Sequence, residues 1–267
     1  MSEDRSAAEA RSDQTMLSED RSAAEARSDR TMLSEDRSAA EARSDRTTLT
    51  GVAERLATVR DCITAAGGAP DDVTVVAVTK GHGPAAALAA VEAGLTDIGE
   101  NYAADLAATA AALGAQSVAC HFLGRVQRNK VRAIADVVHL WQGVDRAAAG
   151  REIATRCPAA AVLVQINLSG EAAKNGCHPD EVAPLVDELL GLGLRVRGLM
   201  GVAPAGRPED ARPGFRSLVA TADRLGLPER SIGMTDDFEV AVAEGATMIR
   251  LGRRLFGPRN GADDLRR

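Results

Sequence analysis

Residues 73–83 read V-T-V-V-A-V-T-K-G-H-G, and the architecture of the chain follows from how this stretch is taken. As far as Val78 it holds only valine, alanine and one threonine, the composition of a strand covered on both faces, as in a parallel sheet. Lys80 stands where the strand runs out, and Gly83-Pro84 opens an alanine-rich helix. A lysine at the carboxyl end of a buried parallel strand lies on the ligand face of an α/β fold. An amine held there can shed water and attack a carbonyl. The plain alternative is a solvated lysine in a strand-to-helix loop.

Working outward, strands and helices alternate regularly. Upstream, Val52, Leu56, Val59 and Ile63 recur at helical spacing, with Thr50 as the expected cap. Downstream, the pattern predicts helices over residues 84–93, 103–113, from 129, 145–156, 180–192, 214–225 and 236–244. Between them it predicts strands over 97–99, 118–123, 137–141, 161–168, 196–202, 231–235 and 247–252. With the strand of residues 73–78 that makes eight, the count of a (β/α)8 TIM barrel, whereas an open doubly wound sheet would use fewer. The expected domain is a single barrel over residues 49–260, with a short tail at 261–267.

Residues 1–48 have a different texture. S-E-D-R-S-A-A-E-A-R-S-D begins at Ser2, Ser18 and Ser34, a sixteen-residue tandem repeat. Apart from the joining Met-Leu pairs it has no bulky apolar residue, so no stacked core is expected and the segment reads as disordered. Its twelve acids and eight arginines carry -4 of the formal charge of -6, leaving the remainder close to neutral. That balance gives no electrostatic case for nucleic acid or an anionic membrane. No apolar run of membrane length and no leader-like segment is read, and the four cysteines are widely spaced without a CxxC pair. A reducing cytoplasm, free thiols and a monomer or weak dimer are the expectation. Cys120-His121 and Cys177-His178 lack the spacing of a metal site.

On a barrel, ligands meet the residues just after each strand. These are Lys80, Asn101, Arg125 with Gln127, Gln142, Asn167 with Ser169, Met200, then residues 231–235 and 250–253. Ser231, Gly233 and Thr235 offer two hydroxyls and a close-approaching backbone before a helix expected from Asp236. A helix N-terminus favours anions. Leu251-Gly252-Arg253 follows the last strand, and barrels often hold phosphate with the loops after strands seven and eight. Singly, each glycine is explained by turn geometry and Thr235 by capping. Jointly with a nucleophilic lysine they point to a phosphorylated carbonyl compound, and pyridoxal phosphate (PLP) meets both requirements.

The segments A-V-T-K (77–80), G-E-N-Y (99–102), H-F-L-G-R-V-Q-R-N-K (121–130), V-Q-I-N-L-S-G-E-A-A-K-N-G (164–176), R-G-L-M (197–200), S-I-G-M-T-D-D-F-E (231–239), G-A-T-M-I-R-L-G (245–252) and L-F-G-P-R (255–259) carry a family resemblance. The chain resembles the pyridoxal phosphate homeostasis proteins, single-domain relatives of the alanine racemase barrel. The resemblance implies a PLP-binding protein that buffers the cofactor and delivers it to apo-enzymes, without turnover. It implies Lys80 as the Schiff-base lysine. Ser231, Gly233, Met234, Thr235, Gly252 and Arg253 would line the phosphate, Arg250 would face the pyridine nitrogen, and Asn101 would lie near the ring.

Three departures stand out. Arg253 replaces the usual small hydroxyl residue after Gly252, Gly81-His82-Gly83-Pro84 replaces a second lysine, and Gln142-Gly143 replaces a His-Ser pair. Two rivals are an amino-acid racemase, which needs an opposed second base that only Tyr102 could offer, and a Schiff-base aldolase.

Overall fold

The structure, a computed structural model, describes residues 51–171 and 174–258. The repeats of residues 1–48, the cap at Thr50 and the tail at 261–267 lie outside the described residues.

A leading helix, α1 (Val52–Ala65), buries Val52, Leu56, Val59 and Ile63 along the one face their spacing creates. Then come β1 (Thr74–Val78), α2 (Pro84–Glu92), β2 (Asp97–Glu100), α3 (Ala103–Leu113), β3 (Ala119–Phe122), α4 (Arg128–Ile134), β4 (Leu140–Val144) and α5 (Ala147–Arg156). The second half runs β5 (Ala161–Asn167), α6 (Val182–Gly191), β6 (Arg195–Val202), α7 (Arg212–Arg224), β7 (Glu229–Ser231), α8 (Phe238–Ala243), β8 (Met248–Leu251) and α9 (Arg253–Phe256). The strands pair in sequence order, all parallel, and β1 closes on β8 with Thr74 opposite Met248 and Ala77 opposite Leu251. The expected (β/α)8 barrel is the observed fold.

Because strand side chains alternate, every strand sends one set inward and one toward the helices. Val76, Leu140, Ala161, Leu163, Met200 and Met248 pack together inside. Between sheet and helices lie Trp141, Phe215, Phe238 and a field of aliphatic residues, with Phe122 set edge-on to Trp141 at 5.6 Å between ring centroids. With so few rings the packing rests on branched aliphatics, and truncating a buried leucine such as Leu163 to alanine would cost about 2–5 kcal/mol.

Most boundaries move by one or two residues, and three of the shifts bear on the site. β4 is shifted to Leu140–Val144, because residues 137 and 138 turn off α4 through bonds to Ile134 O and reach only half-burial. Gln142 is therefore a strand residue, not a strand-end one. β7 is Glu229–Ser231 and ends where residues 231–235 were expected to begin it; its register is set by Ser231 opposite Met248. Accordingly α8 starts at Phe238, not Asp236, after a turn in which Met234 O accepts from the amides of Asp237 and Phe238.

Candidate functional site at the barrel mouth

Lys80 is placed by the alternation of β1. Val76 is in the interior cluster, so Val78 shares its side, and Lys80 follows two residues beyond the strand end. The Thr79 amide still donates to Gly99 O at 3.2 Å, which carries the ladder to the rim. The Thr79 hydroxyl donates to the buried Glu100 carboxylate at 2.5 Å, and Thr109 adds a second donor at 3.4 Å. The strand end beneath Lys80 is thus anchored from the helix side. Burial pushes the Glu100 carboxyl up to about 7, against the opposing pull of the Thr79 bond. Its second oxygen, Oε2, is buried without a partner among the described residues. Asn101, half-buried, shares the inward parity of Gly99 at the end of β2.

Facing this edge are the loops after β7 and β8. Gly233 adopts φ +92, and a Cβ there would stand 2.6 Å from Ala241 Cβ and 2.9 Å from Phe238 Cα. Only glycine lets the backbone bend this closely over the start of α8. Asp237 caps the turn by accepting from the Met234 amide at 2.6 Å. The next amides, of Thr235 and Asp236, donate to no acceptor among the described residues. Beyond Gly252 the first amides of α9, at Arg253 and Arg254, have no acceptor within their helix. These amides are donors available to an anion. The Arg253 guanidinium pairs with Asp236 at 2.8 Å and is half exposed, so its side chain bridges the two loops.

Arg250 and Ser231 sit lower. Val76 is opposite Arg250, and Val78, the last residue of β1, lies two residues further toward the mouth. The buried guanidinium donates from Nη1 to Ser231 O at 2.6 Å and Ser231 Oγ at 2.7 Å, and from Nη2 to Gly201 O at 2.8 Å. Two of its N–H groups, on Nε and Nη2, have no acceptor among the described residues. Burial lowers Arg250 to about 10, with Asp237 opposing, so it stays cationic at neutral pH. Ser231 Oγ also donates to Gln142 Oε1 at 2.7 Å. The hydroxyl of Ser231 therefore belongs to the floor of the site, below the amides of the rim. Gln142 Nε2 in turn lies 2.7 Å from His121 Nδ1, and His121 Nε2 lies 3.0 Å from Asp97 Oδ1.

The carboxyl end of the barrel thus brings together Lys80 just past β1, the buried Arg250 with unfilled donors, and the amides after β7 and β8. That donor set suits a compact anionic ligand with a carbonyl at one end and a hydrogen-bonding ring. No protein-family profile matches the chain. A pyridoxal phosphate homeostasis protein of Pseudomonas aeruginosa is 37% identical over 218 residues, covering 78% of this chain and 94% of the relative. The chain belongs to the pyridoxal phosphate homeostasis protein family. The Escherichia coli K12 member of that family is also 37% identical, over 231 residues, covering 78% of this chain and 97% of its own length. Among solved structures, PipY of Synechococcus elongatus with PLP bound superposes with a TM-score of 0.68 at 30% identity, covering 77% of this chain and all of PipY.

For a member of the pyridoxal phosphate homeostasis family, the reading of strand ends finds Lys80, Asn101, Thr235 and Arg253 at or near the mouth. It does not find Asp97 or His121, and it places Gln142 at the rim. All three point into the barrel from within strands. The signal for them is an inward-parity polar residue in an otherwise apolar strand. Cys120 and Cys177, in the two Cys-His pairs, are buried, and burial pushes both thiols up, Cys177 to about 12.

Proposed function

We propose that this chain holds PLP at the barrel mouth, with Lys80 as the covalent anchor, and serves as a reservoir from which apo-enzymes are supplied. The observation that carries this reading is the PLP-bound structure of PipY, which matches the whole barrel, together with family relatives named for PLP homeostasis. PLP supplies an aldehyde that an amine can capture as a Schiff base, and a dianionic phosphate. Toward such a group Lys80 offers the amine, and the amides of Thr235, Asp236, Arg253 and Arg254 offer the phosphate donors. Arg250 turns a permanent donor toward the ring nitrogen. An arginine gives up no proton there, so the ring remains a weak electron sink, which favours holding over turnover.

Tyr102 supports the same conclusion. It is the chain's one tyrosine, and it is 60% exposed at the start of α3. A racemase needs a second base opposed to the lysine across the ligand. That exposure suits a surface side chain better than a base closed against the ligand.

The test is borohydride reduction of PLP-loaded protein followed by peptide mass analysis. The pyridoxyl mass is expected on Lys80 in the wild type and on no lysine in Lys80→Ala, whose ligand-free melting temperature stays close to wild type. A reduced adduct at Lys130 or Lys174 instead, or steady racemisation of a common amino acid by wild type, would overturn this reading.

A further inference from the structure

The side chains of Arg250, Ser231, Gln142, His121 and Asp97, from β8, β7, β4, β3 and β2, form one continuous hydrogen-bonded row through the barrel interior. With one proton on the His121 imidazole, its ends fix its direction. A guanidinium can only donate and a carboxylate can only accept. Starting from Arg250, Nη1–H donates to Ser231 Oγ, and the Ser231 hydroxyl donates to Gln142 Oε1. The Gln142 amide then donates to His121 Nδ1, leaving the imidazole proton on Nε2, where it donates to Asp97. The opposite amide orientation would strand the serine proton and would satisfy both Gln142 Oε1 and Asp97 only if His121 carried a proton on each nitrogen. It would also turn an oxygen toward Met248 Sδ, which accepts from Gln142 Nε2 at 3.1 Å.

We propose that Gln142 is a positioning residue for Arg250. By accepting from Ser231 and donating to His121 it locks the row in one direction and keeps the Arg250 donors not used by Ser231 and Gly201 facing the ring of the bound ligand. Every atom it uses is buried, and its side chain accepts with one end and donates with the other. The Asp97 end reaches the opposite, amino-terminal side of the sheet, where its side chain is 23% exposed. A neutral amide at this place keeps a second charge away from Arg250 and still transmits polarity. This assignment rests on the proposed PLP site, so its test includes measurements on ligand-free protein.

In ligand-free, 15N-labelled protein, long-range imidazole spectra should show His121 protonated at Nε2 and not at Nδ1, the signal being assigned by its loss in His121→Gln. Gln142→Leu should fold and shift both the Arg250 Nε resonance and the His121 Nδ1 resonance, which loses its donor, while Asp97 keeps the proton on Nε2. With PLP added, the same variant should lose affinity by about tenfold and move the absorbance maximum of the bound cofactor. If Gln142→Leu does not fold, Gln142→Met carries the same expectations, since its chain fills the space without either bond. A proton on His121 Nδ1 in the wild type overturns the direction of the row. An unmoved Arg250 resonance, or unchanged affinity and absorbance in a folded variant, overturns the positioning role. Failure of wild type to bind PLP would sink the proposed function, and the Arg250 and His121 signals would still judge the row.

Discussion

Arg253 Nη2 lies 2.8 Å from Asp236 Oδ2, so the loop after β8 is tied to the loop after β7 by a pair of charges standing outside the mouth. Arg253 occupies the position where the resembled family has a small hydroxyl, and its guanidinium is committed to Asp236. Its amide, as the first of α9, remains directed as a donor. Both side chains are well exposed, so the pair itself contributes little to stability, within about 1 kcal/mol.

Arg253→Thr should therefore bind PLP as tightly as wild type or more tightly, since it restores a hydroxyl beside the phosphate amides and keeps the backbone donor. Fluorescence or absorbance titration of the two proteins with PLP measures this directly. A tenfold loss of affinity in a folded variant would mean that the guanidinium leaves Asp236 for the phosphate.

Gly233→Ala should both destabilise the barrel and weaken PLP binding. The new Cβ meets backbone and Cβ atoms of α8 at 2.9 and 2.6 Å, and the residue must also hold φ +92. A suitable control is Gly226→Ala, at φ +65 with nothing within 4 Å, which isolates the left-handed strain of about 1–2 kcal/mol. Chemical denaturation should show Gly233→Ala clearly worse than Gly226→Ala, and only Gly233→Ala should reduce affinity. Equal losses at the two positions would show that α8 yields and that the close approach is unimportant.

Elements were legible in the sequence where local chemistry is one-sided. The V-T-V-V-A-V run admits only a buried strand, and Gly83-Pro84 gives a helix start with Gly83 at φ +70 and Pro84 first in α2. Boundaries failed where tertiary register decides them. Val137 and Val138 have strand propensity but leave α4 in a turn, and β7 is three residues long because Ser231 is its last register partner to β8. In the site, rim residues could be read from strand ends. The row beneath them could not, because Asp97, His121 and Gln142 meet only when β2, β3 and β4 are rolled side by side, and nothing in their sequence spacing foretells that contact.

The last prediction concerns Glu100, held at about 7 by burial behind the strand end that carries Lys80. Its folded pKa lies above its ordinary value of 4.5, so the folded state binds the proton more tightly than the unfolded chain does. The resulting stabilisation is fully present below pH 4.5 and is lost as pH rises through about 7. Ionisation above that pH leaves a buried carboxylate with one oxygen, Oε2, lacking a partner among the described residues. Glu100→Gln keeps an acceptor for Thr79 and cannot ionise. Its stability relative to wild type should be nearly level at pH 4.5 and should climb toward pH 8, by at most about 3 kcal/mol. Urea denaturation of both proteins across that range gives the difference. A flat difference from pH 4.5 to 8 would show that Glu100 does not bind its proton more tightly on folding.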